Sequence, residues 1–287
     1  MITGKALIVN ADDFGLSQSV NLGILEAHHQ GIVTSTTLLA NGPAFEQGVQ
    51  LLGGAPGLGV GVHLNVLRGR PLCHPDTLPL LTRHGRFHLT WSRMHHTLVP
   101  GMLQEIEREY RAQIEKVAEH GMAITHLDGE KHHHQFPPLF RLVTRLLQDY
   151  RIPAVRCALE PLTARYGLTK MAKVSMLNLF IGRNLRALRG TAIRHAHTQA
   201  GIAMTGGMTP DGLERLLRHL PAGITELCCH PGRTDGGHHS QIYDFGEFYI
   251  DATRETELSL LTASSVQRVL SAQGIQRITY AGLNPSG

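Results

Sequence analysis

Short apolar runs alternate along the chain with amphipathic stretches. The run from Ala6 to Val9 is rich in branched residues and has no helical period, so it predicts a buried β-strand. Similar patterns predict strands at 32–39, 58–62, 124–127, 154–157, 224–229 and 277–280. Amphipathic or capped stretches predict helices at 17–30, 44–52, 103–120, 138–150, 168–188, 211–219 and 264–273. This alternation is typical of parallel βα units and therefore indicates an α/β protein.

The length and composition favour one globular domain. The 287 residues are an ordinary length for one α/β barrel. The hydrophobic content of 42% and the charged content of 17% are typical of globular proteins. Because no internal repeat or linker interrupts the pattern, we predict a single domain over residues 1–287. We expect a TIM-like (β/α) barrel with parallel strands and an active site at their C-terminal ends.

Charge and cysteine content limit the partners and the compartment. The formal net charge of +4 comes from basic residues that are spread along the chain, so we expect no nucleic-acid partner. The four cysteines form no Cys-x-x-Cys pair, which indicates a reducing compartment. The first apolar run is too short for a signal peptide, and no stretch has the length of a transmembrane helix. We therefore expect a cytoplasmic protein.

Polar side chains with catalytic chemistry follow several predicted strands. Asp12 and Asp13 end the first strand, His63 follows a later one, and His230 follows another. The densest group is the stretch 126–134, which contains Asp128, Glu130, His132 and further histidines. Since the carboxyl ends of parallel strands share one edge of a sheet, we expect these groups to converge. The alternative interpretation is that the two aspartates only cap a turn.

A carboxylate and imidazoles around open positions suit a catalytic divalent metal ion. Such an ion polarises a carbonyl group and acidifies its bound water. A second carboxylate can then take the proton from that water, and a histidine can protonate the leaving group. Asp12, Asp13, His63 and His230 would fill these roles, so the pattern predicts metal-assisted hydrolysis.

Six motifs are distinctive in combination: Asn10–Gly15, Gly31–Thr37, Gly61–Leu64, Thr125–Asp128, Cys229–Gly232 and Glu255–Thr262. Together they resemble the YdjC-like carbohydrate deacetylases, over nearly the whole chain. The resemblance is greatest to the branch called hopanoid biosynthesis-associated protein HpnK. It implies a distorted TIM-like barrel that uses a divalent metal to remove acetyl groups from N-acetylated sugars. For the HpnK branch it implies N-acetylglucosamine on a bacteriohopane lipid as the substrate.

The resemblance also implies roles for individual residues. Asp13 matches the metal-binding aspartate of the family, Asp12 its general base, and His63 one metal-binding histidine. The family typically has histidine at the third ligand position, where this chain has Glu130. Glutamate binds either Zn²⁺ or Mg²⁺, so Glu130 is one candidate for the third ligand and His132 is the other. A third alternative is a site that binds metal poorly.

The stretch 168–188 combines basic and apolar residues and has two interpretations. One is a barrel helix with a solvated basic face. The other is a basic amphipathic segment that rests on a membrane or grips an apolar substrate tail. The second interpretation would place the protein peripherally at the inner membrane. The sequence leaves a homodimer open.

Two functional hypotheses follow. The first is a metal-dependent amidohydrolase acting on an N-acetylated aminosugar or glycolipid. In it Asp12 activates water, His230 protonates the departing amine, and Arg156 orients a sugar or carboxyl group. The divalent metal, Mg²⁺ or Zn²⁺, is held by Asp13, His63 and either Glu130 or His132. The second hypothesis is a non-catalytic sugar- or lipid-binding protein in which Glu130 has impaired the metal site. A metal phosphoesterase should show a phosphate-gripping loop or Arg cluster, and we find neither convincingly.

Overall fold

A parallel β-sheet forms the centre of the protein. The structure is a computed structural model that describes residues 4–90, 100–162, 167–234, 245 and 252–283. Its sheet contains β1 (Lys5–Phe14), β2 (Ser35–Leu38), β3 (Gly59–Leu64), β6 (Ile124–Gly129), β7 (Thr198–Ala200), β8 (Gly223–Cys229) and β9 (Gln276–Arg277). The strand order is β6-β3-β2-β1-β8-β7, with β9 also paired to β1. A separate antiparallel hairpin contains β4 (Thr82–Arg83) and β5 (Arg86–Phe87).

Each predicted helix is present within a few residues of its expected bounds. The helices are α1 (Gln18–His29), α2 (Phe45–Leu52), α3 (Pro100–Glu119), α4 (Pro137–Asp149), α5 (Gly167–Leu188), α6 (Pro210–Arg218), α7 (Thr253–Thr262) and α8 (Ser264–Ala272). Only α7 among them was not predicted. Its inward face carries the buried charged residues Arg254 and Glu257, so it lacks the apolar periodicity that marks an amphipathic helix.

The central strand β1 is buried from Ala6 to Phe14. It pairs with β8 in parallel from Lys5 to Ala11, and with β2 on its other side. The register with β2 shifts between Ala11 and Phe14, the segment that contains the two aspartates. An irregularity of this kind redirects side chains at the end of a strand. The simple alternation of strand residues, which would separate neighbouring carboxylates onto opposite faces, therefore does not hold there.

The predicted α/β architecture with parallel strands is confirmed, and the sheet curls into a half-barrel. Beyond its edges the described backbone forms single bridges between Leu127 and Val155, Ala154 and Arg194, and Leu159 and Thr198. The predicted strand 154–157 is therefore reduced to isolated bridges. A full TIM barrel stays a prediction.

The helices cover the sheet with apolar faces. On α3, Ile106, Tyr110, Ile114 and Val117 are all buried, as their spacing predicts. The region 68–100, for which the apolar pattern predicts neither helix nor strand, contains the hairpin β4–β5, and its residues 91–99 lie outside the described part. Among the described helices, none combines the length and the apolar character needed to cross a membrane.

The end of β7 approaches β8 closely at Gly201. Gly201 has a φ of +101°, and a Cβ atom there would lie 2.1 Å from the carbonyl oxygen of Cys228. We predict that Gly201→Ala lowers the free energy of unfolding by at least about 2 kcal/mol, measured by urea denaturation of the metal-free protein. Gly182→Ala is the control, because nothing lies within 4 Å of its added Cβ inside α5. Equal destabilisation by the two variants would contradict this reading of the β7–β8 contact.

Candidate active site

The predicted strand ends meet at one cavity of about 360 Å³. The register of the sheet explains this convergence: Ala11 pairs with Cys229, so Asp12 and His230 follow side by side. His63 of β3 likewise pairs with Asp128 of β6. Six of the predicted site residues line the cavity: Asp12, Asp13, His63, Glu130, His132 and His230.

Asp13, His63 and Glu130 form a buried group of potential metal ligands. Nε2 of His63 lies 3.7 Å from Oδ1 of Asp13 and 3.6 Å from Oε2 of Glu130. One ligand atom from each of the three residues lies within 4.8 Å of the others. Donor atoms about 2.1 Å from a tetrahedral ion are about 3.4 Å apart, so these three residues fit a single divalent cation.

The ring of His63 is oriented by residues behind the cavity. Its Nδ1 lies 2.7 Å from Oδ1 of Asp128, and the hydroxyl of Thr37 donates to Oδ2 of the same carboxylate. Burial opposes protonation of His63, but Asp128, together with Glu130 and Asp12, outweighs it and raises the pKa of the imidazole well above its usual value. With Nδ1 directed at a carboxylate, Nε2 faces Asp13 and Glu130, as in metal-binding histidines.

A tight turn after β6 brings Glu130, rather than His132, to this group. Lys131 and His132 have φ values of 51° and 58°, in the left-handed region. The ring of His133 bridges the carbonyl oxygen of Glu130 and the hydroxyl of Tyr110, which fixes the start of the turn. His132 still lines the cavity, and burial lowers its pKa well below the usual value. It is not part of the metal-type groups found among the described residues.

Arg156 lies behind Asp12 and not on the cavity wall. Its side chain is 2% exposed, and its Nη atoms lie 2.6 and 2.7 Å from the two carboxylate oxygens of Asp12. The same guanidinium group contacts Asp128 at 2.9 Å and Glu226 at 2.7 Å. The sequence suggested that Arg156 orients a sugar or carboxyl group of the substrate. Its burial and its contacts with three carboxylates of the protein do not support that role.

The contact with Arg156 keeps Asp12 ionised. Burial acts to raise the pKa of Asp12, but the guanidinium group of Arg156 outweighs it and holds the pKa well below its usual value. Asn10 and the thiol of Cys228 also donate to this carboxylate. Asp12 is therefore a fixed carboxylate at the cavity wall, where it can accept a proton.

His230 faces Asp12 from the end of β8. Its Nε2 lies 3.9 Å from Oδ2 of Asp12. Its backbone N–H donates to Oε2 of Glu257, 2.6 Å away, and its Nδ1 lies 4.0 Å from the same oxygen. An imidazole in this position can carry a proton to a group bound in the cavity.

The pattern of strand ends missed the residues that helices bring to the site. From α7, Arg254 contacts Asp13 and Glu257 contacts His230. From α5, Lys173 and Met176 line the cavity. The unusual mixture of basic and apolar residues at 168–188 was the only sequence signal for the second pair. For α7, buried charges need partners, but a sequence alone does not say which ones.

Comparisons with known proteins show the family to which the chain belongs. A family model described as YdjC-like protein matches residues 6–272. A carbohydrate deacetylase of Brevibacillus brevis is 33% identical, over 96% of this chain and 99% of its own. A chitooligosaccharide deacetylase of Escherichia fergusonii is also 33% identical, over 96% and 98% of the two chains.

Among solved structures, a putative cellobiose-phosphate cleavage protein from Enterococcus faecalis has the same fold. Its TM-score is 0.75 at 24% sequence identity, and the match covers 97% of this chain and 98% of that one. The family model and the curated relatives both extend over almost the whole sequence. This chain therefore belongs to the YdjC-like protein family.

Proposed function

We propose that this protein is a metal-dependent deacetylase that hydrolyses the N-acetyl group of an aminosugar. The observation that carries the proposal is the convergence of Asp13, His63 and Glu130 in one cavity with Asp12 and His230. The names of the curated relatives support the same reaction and a carbohydrate substrate.

We assign the divalent cation to Asp13, His63 and Glu130. Two carboxylate oxygens and one imidazole nitrogen are suitable donors for Mg²⁺ or Zn²⁺. When bound, such an ion polarises the acetyl carbonyl group and lowers the pKa of water. We prefer Glu130 to His132 as the third ligand because its carboxylate faces Nε2 of His63 at 3.6 Å.

The roles of the two catalytic groups follow from their surroundings. Asp12 accepts the proton of the attacking water, because Arg156 keeps its carboxylate ionised and fixed. His230 donates a proton to the departing amine from the neighbouring strand end. Arg156 thus acts by holding Asp12 instead of touching the sugar.

For the substrate, we propose N-acetylglucosamine linked to a hopanoid lipid. The resemblance to the HpnK branch suggests this lipid, and α5 offers a surface that suits it. Leu168 and Leu179 on α5 are 87% and 75% exposed, and the same helix supplies Met176 to the cavity. An apolar substrate tail leaving the cavity along α5 would cover these leucines, and the same surface would allow peripheral contact with the inner membrane.

We predict acetate release from N-acetylglucosaminyl hopanoid by the purified protein supplied with Zn²⁺, Mg²⁺, Mn²⁺ or Co²⁺.

Asp12→Asn should lower kcat by at least about 100-fold, since it removes the proton acceptor. Asp13→Ala should abolish stoichiometric metal binding, measured by elemental analysis after dialysis. Asp76→Asn is the control, because Asp76 is 90% exposed and does not line the cavity, and it should leave both properties unchanged.

A specific feature favours one alternative, a non-catalytic binding protein: Glu130 stands where the family typically has histidine. This alternative requires that the wild-type protein retain no metal and release no acetate with any of the four ions, while a chitooligosaccharide deacetylase assayed alongside is active. Acetate release from soluble N-acetylated chitooligosaccharides but not from the hopanoid would retain the deacetylase and reject the lipid substrate.

The role of α5 has its own test. We predict that Leu168→Ser with Leu179→Ser raises KM for the lipid-linked substrate at least about fivefold, since both leucines are lost as apolar contacts. The KM for a soluble aminosugar and the melting temperature should not change. Leu22→Ser is the control, because Leu22 is an exposed leucine on α1. An unchanged KM for the lipid-linked substrate would show that α5 is only a barrel helix with a solvated face.

A further inference from the structure

We infer that Arg254 is a positioning residue for Asp13. It binds one carboxylate oxygen of Asp13 and so leaves only the other oxygen directed at the metal site. This inference rests on the proposed metal site. Nη2 of Arg254 lies 2.5 Å from Oδ2 of Asp13. The other oxygen, Oδ1, is the one that lies 3.7 Å from Nε2 of His63. The two oxygens therefore face different partners.

The backbone of Asp13 gives a physical reason for such a restraint. Asp13 has a φ of 72°, in the left-handed region, and lies within the irregular end of β1. Outside a regular ladder, neighbouring strands do not fix the direction of a side chain. A carboxylate can also rotate about its terminal torsion, which has a broad energy profile. A second contact is needed to hold one oxygen towards His63, and Arg254 supplies it.

Burial makes the contact between Arg254 and Asp13 strong and specific. Both side chains are 2% exposed. Two buried opposite charges attract each other much more than they would in water, but removal of one partner leaves an uncompensated charge. The pair therefore restrains Asp13 even when no cation is bound, so the ligand is prepared before the metal arrives.

Contacts with the turn that follows β8 fix the position of Arg254 beside Asp13. The N–H of Gly232 donates to the carbonyl oxygen of Arg254. A Cβ atom at Gly232 would lie 3.3 Å from Cδ of Arg254, so the absence of a side chain there leaves room for the arginine to pass. One turn later in α7, Glu257 accepts the backbone N–H of His230. Helix α7 thus links the candidate metal ligand and the candidate proton donor.

Arg254 could affect a bound cation in two opposite ways. As a positive charge near the site it would weaken cation binding by repulsion, so its removal would strengthen binding. As a positioning residue it prepares Oδ1 of Asp13, so its removal would weaken binding. Partners that orient metal ligands typically contribute about 10–100-fold in metal affinity or activity. We propose that the positioning effect is the larger of the two.

The test is the affinity of the metal-free protein for Zn²⁺ and for Mn²⁺, measured by competition with a fluorescent chelator. We expect Arg254→Met to raise the dissociation constant at least about tenfold. Arg254→Lys keeps the charge and a donor, and should recover part of the loss. Arg233→Met is the matched control, because Arg233 also pairs with a carboxylate at 2.6 Å, that of Glu26, but is 54% exposed. It should bind metal as the wild type does.

Three outcomes separate this inference from the proposed function. Wild-type binding with unchanged or tighter binding by Arg254→Met would overturn the positioning role while leaving the metal site intact. Failure of the wild type to bind either ion would overturn the proposed site itself. If Arg254→Met does not fold, as judged by circular dichroism, Arg254→Lys decides. A weakened metal affinity of Arg254→Lys would support the positioning role, and full wild-type affinity would contradict it.

Discussion

The site depends on one buried guanidinium group, that of Arg156. It lies within hydrogen-bonding distance of Asp12 at the end of β1, Asp128 in β6 and Glu226 in β8. A buried charge is tolerated only when it is paired, and here one cation is shared by three carboxylates. Burial accordingly raises the pKa of Glu226, and the hydroxyl of Tyr280 donates to the same carboxylate. Three strands are thereby tied to one point directly beneath the cavity.

The geometry of the cavity follows from this centre. Asp12 is fixed and ionised by direct contact with Arg156. Asp128 is held by the same group and in turn orients His63. The proposed base and one proposed metal ligand are therefore positioned by a single buried cation that does not line the cavity. Arg254 makes a similar buried contact with Asp13, and the two arginines bring positive charge to a site rich in carboxylates.

Much of the fold was predictable because strands and helices each give a characteristic spacing of apolar residues along the sequence. The convergence of Asp12, His63 and His230 followed from one rule about the ends of parallel strands. This rule does not locate residues whose positions are set by contacts with distant parts of the sequence. Arg156 could not be placed from its sequence neighbours, since its partners are 28 to 144 positions away in the chain. Its charge suggested instead that it orients a sugar or carboxyl group of the substrate. Helix α7 was missed because its buried face is charged.

Two local features also lay beyond the sequence. Asp12 and Asp13 share a cavity at a point where the register of β1 with β2 shifts. Whether Glu130 or His132 is the third metal ligand depends on the left-handed backbone at Lys131 and His132. Neither lysine nor histidine predicts such a conformation. Both features concern the backbone path over two or three residues, and apolar patterning carries no information at that scale.

The central claim is that Asp13, His63 and Glu130 hold one divalent cation while Asp12 remains beside it as the base. A crystal structure of the protein with Zn²⁺, with anomalous scattering recorded at the zinc edge, tests it most directly. The account predicts one strong anomalous peak, about 2.0–2.2 Å from Oδ1 of Asp13, Nε2 of His63 and Oε2 of Glu130. A peak coordinated by Asp12, or by His132 in place of Glu130, would contradict it.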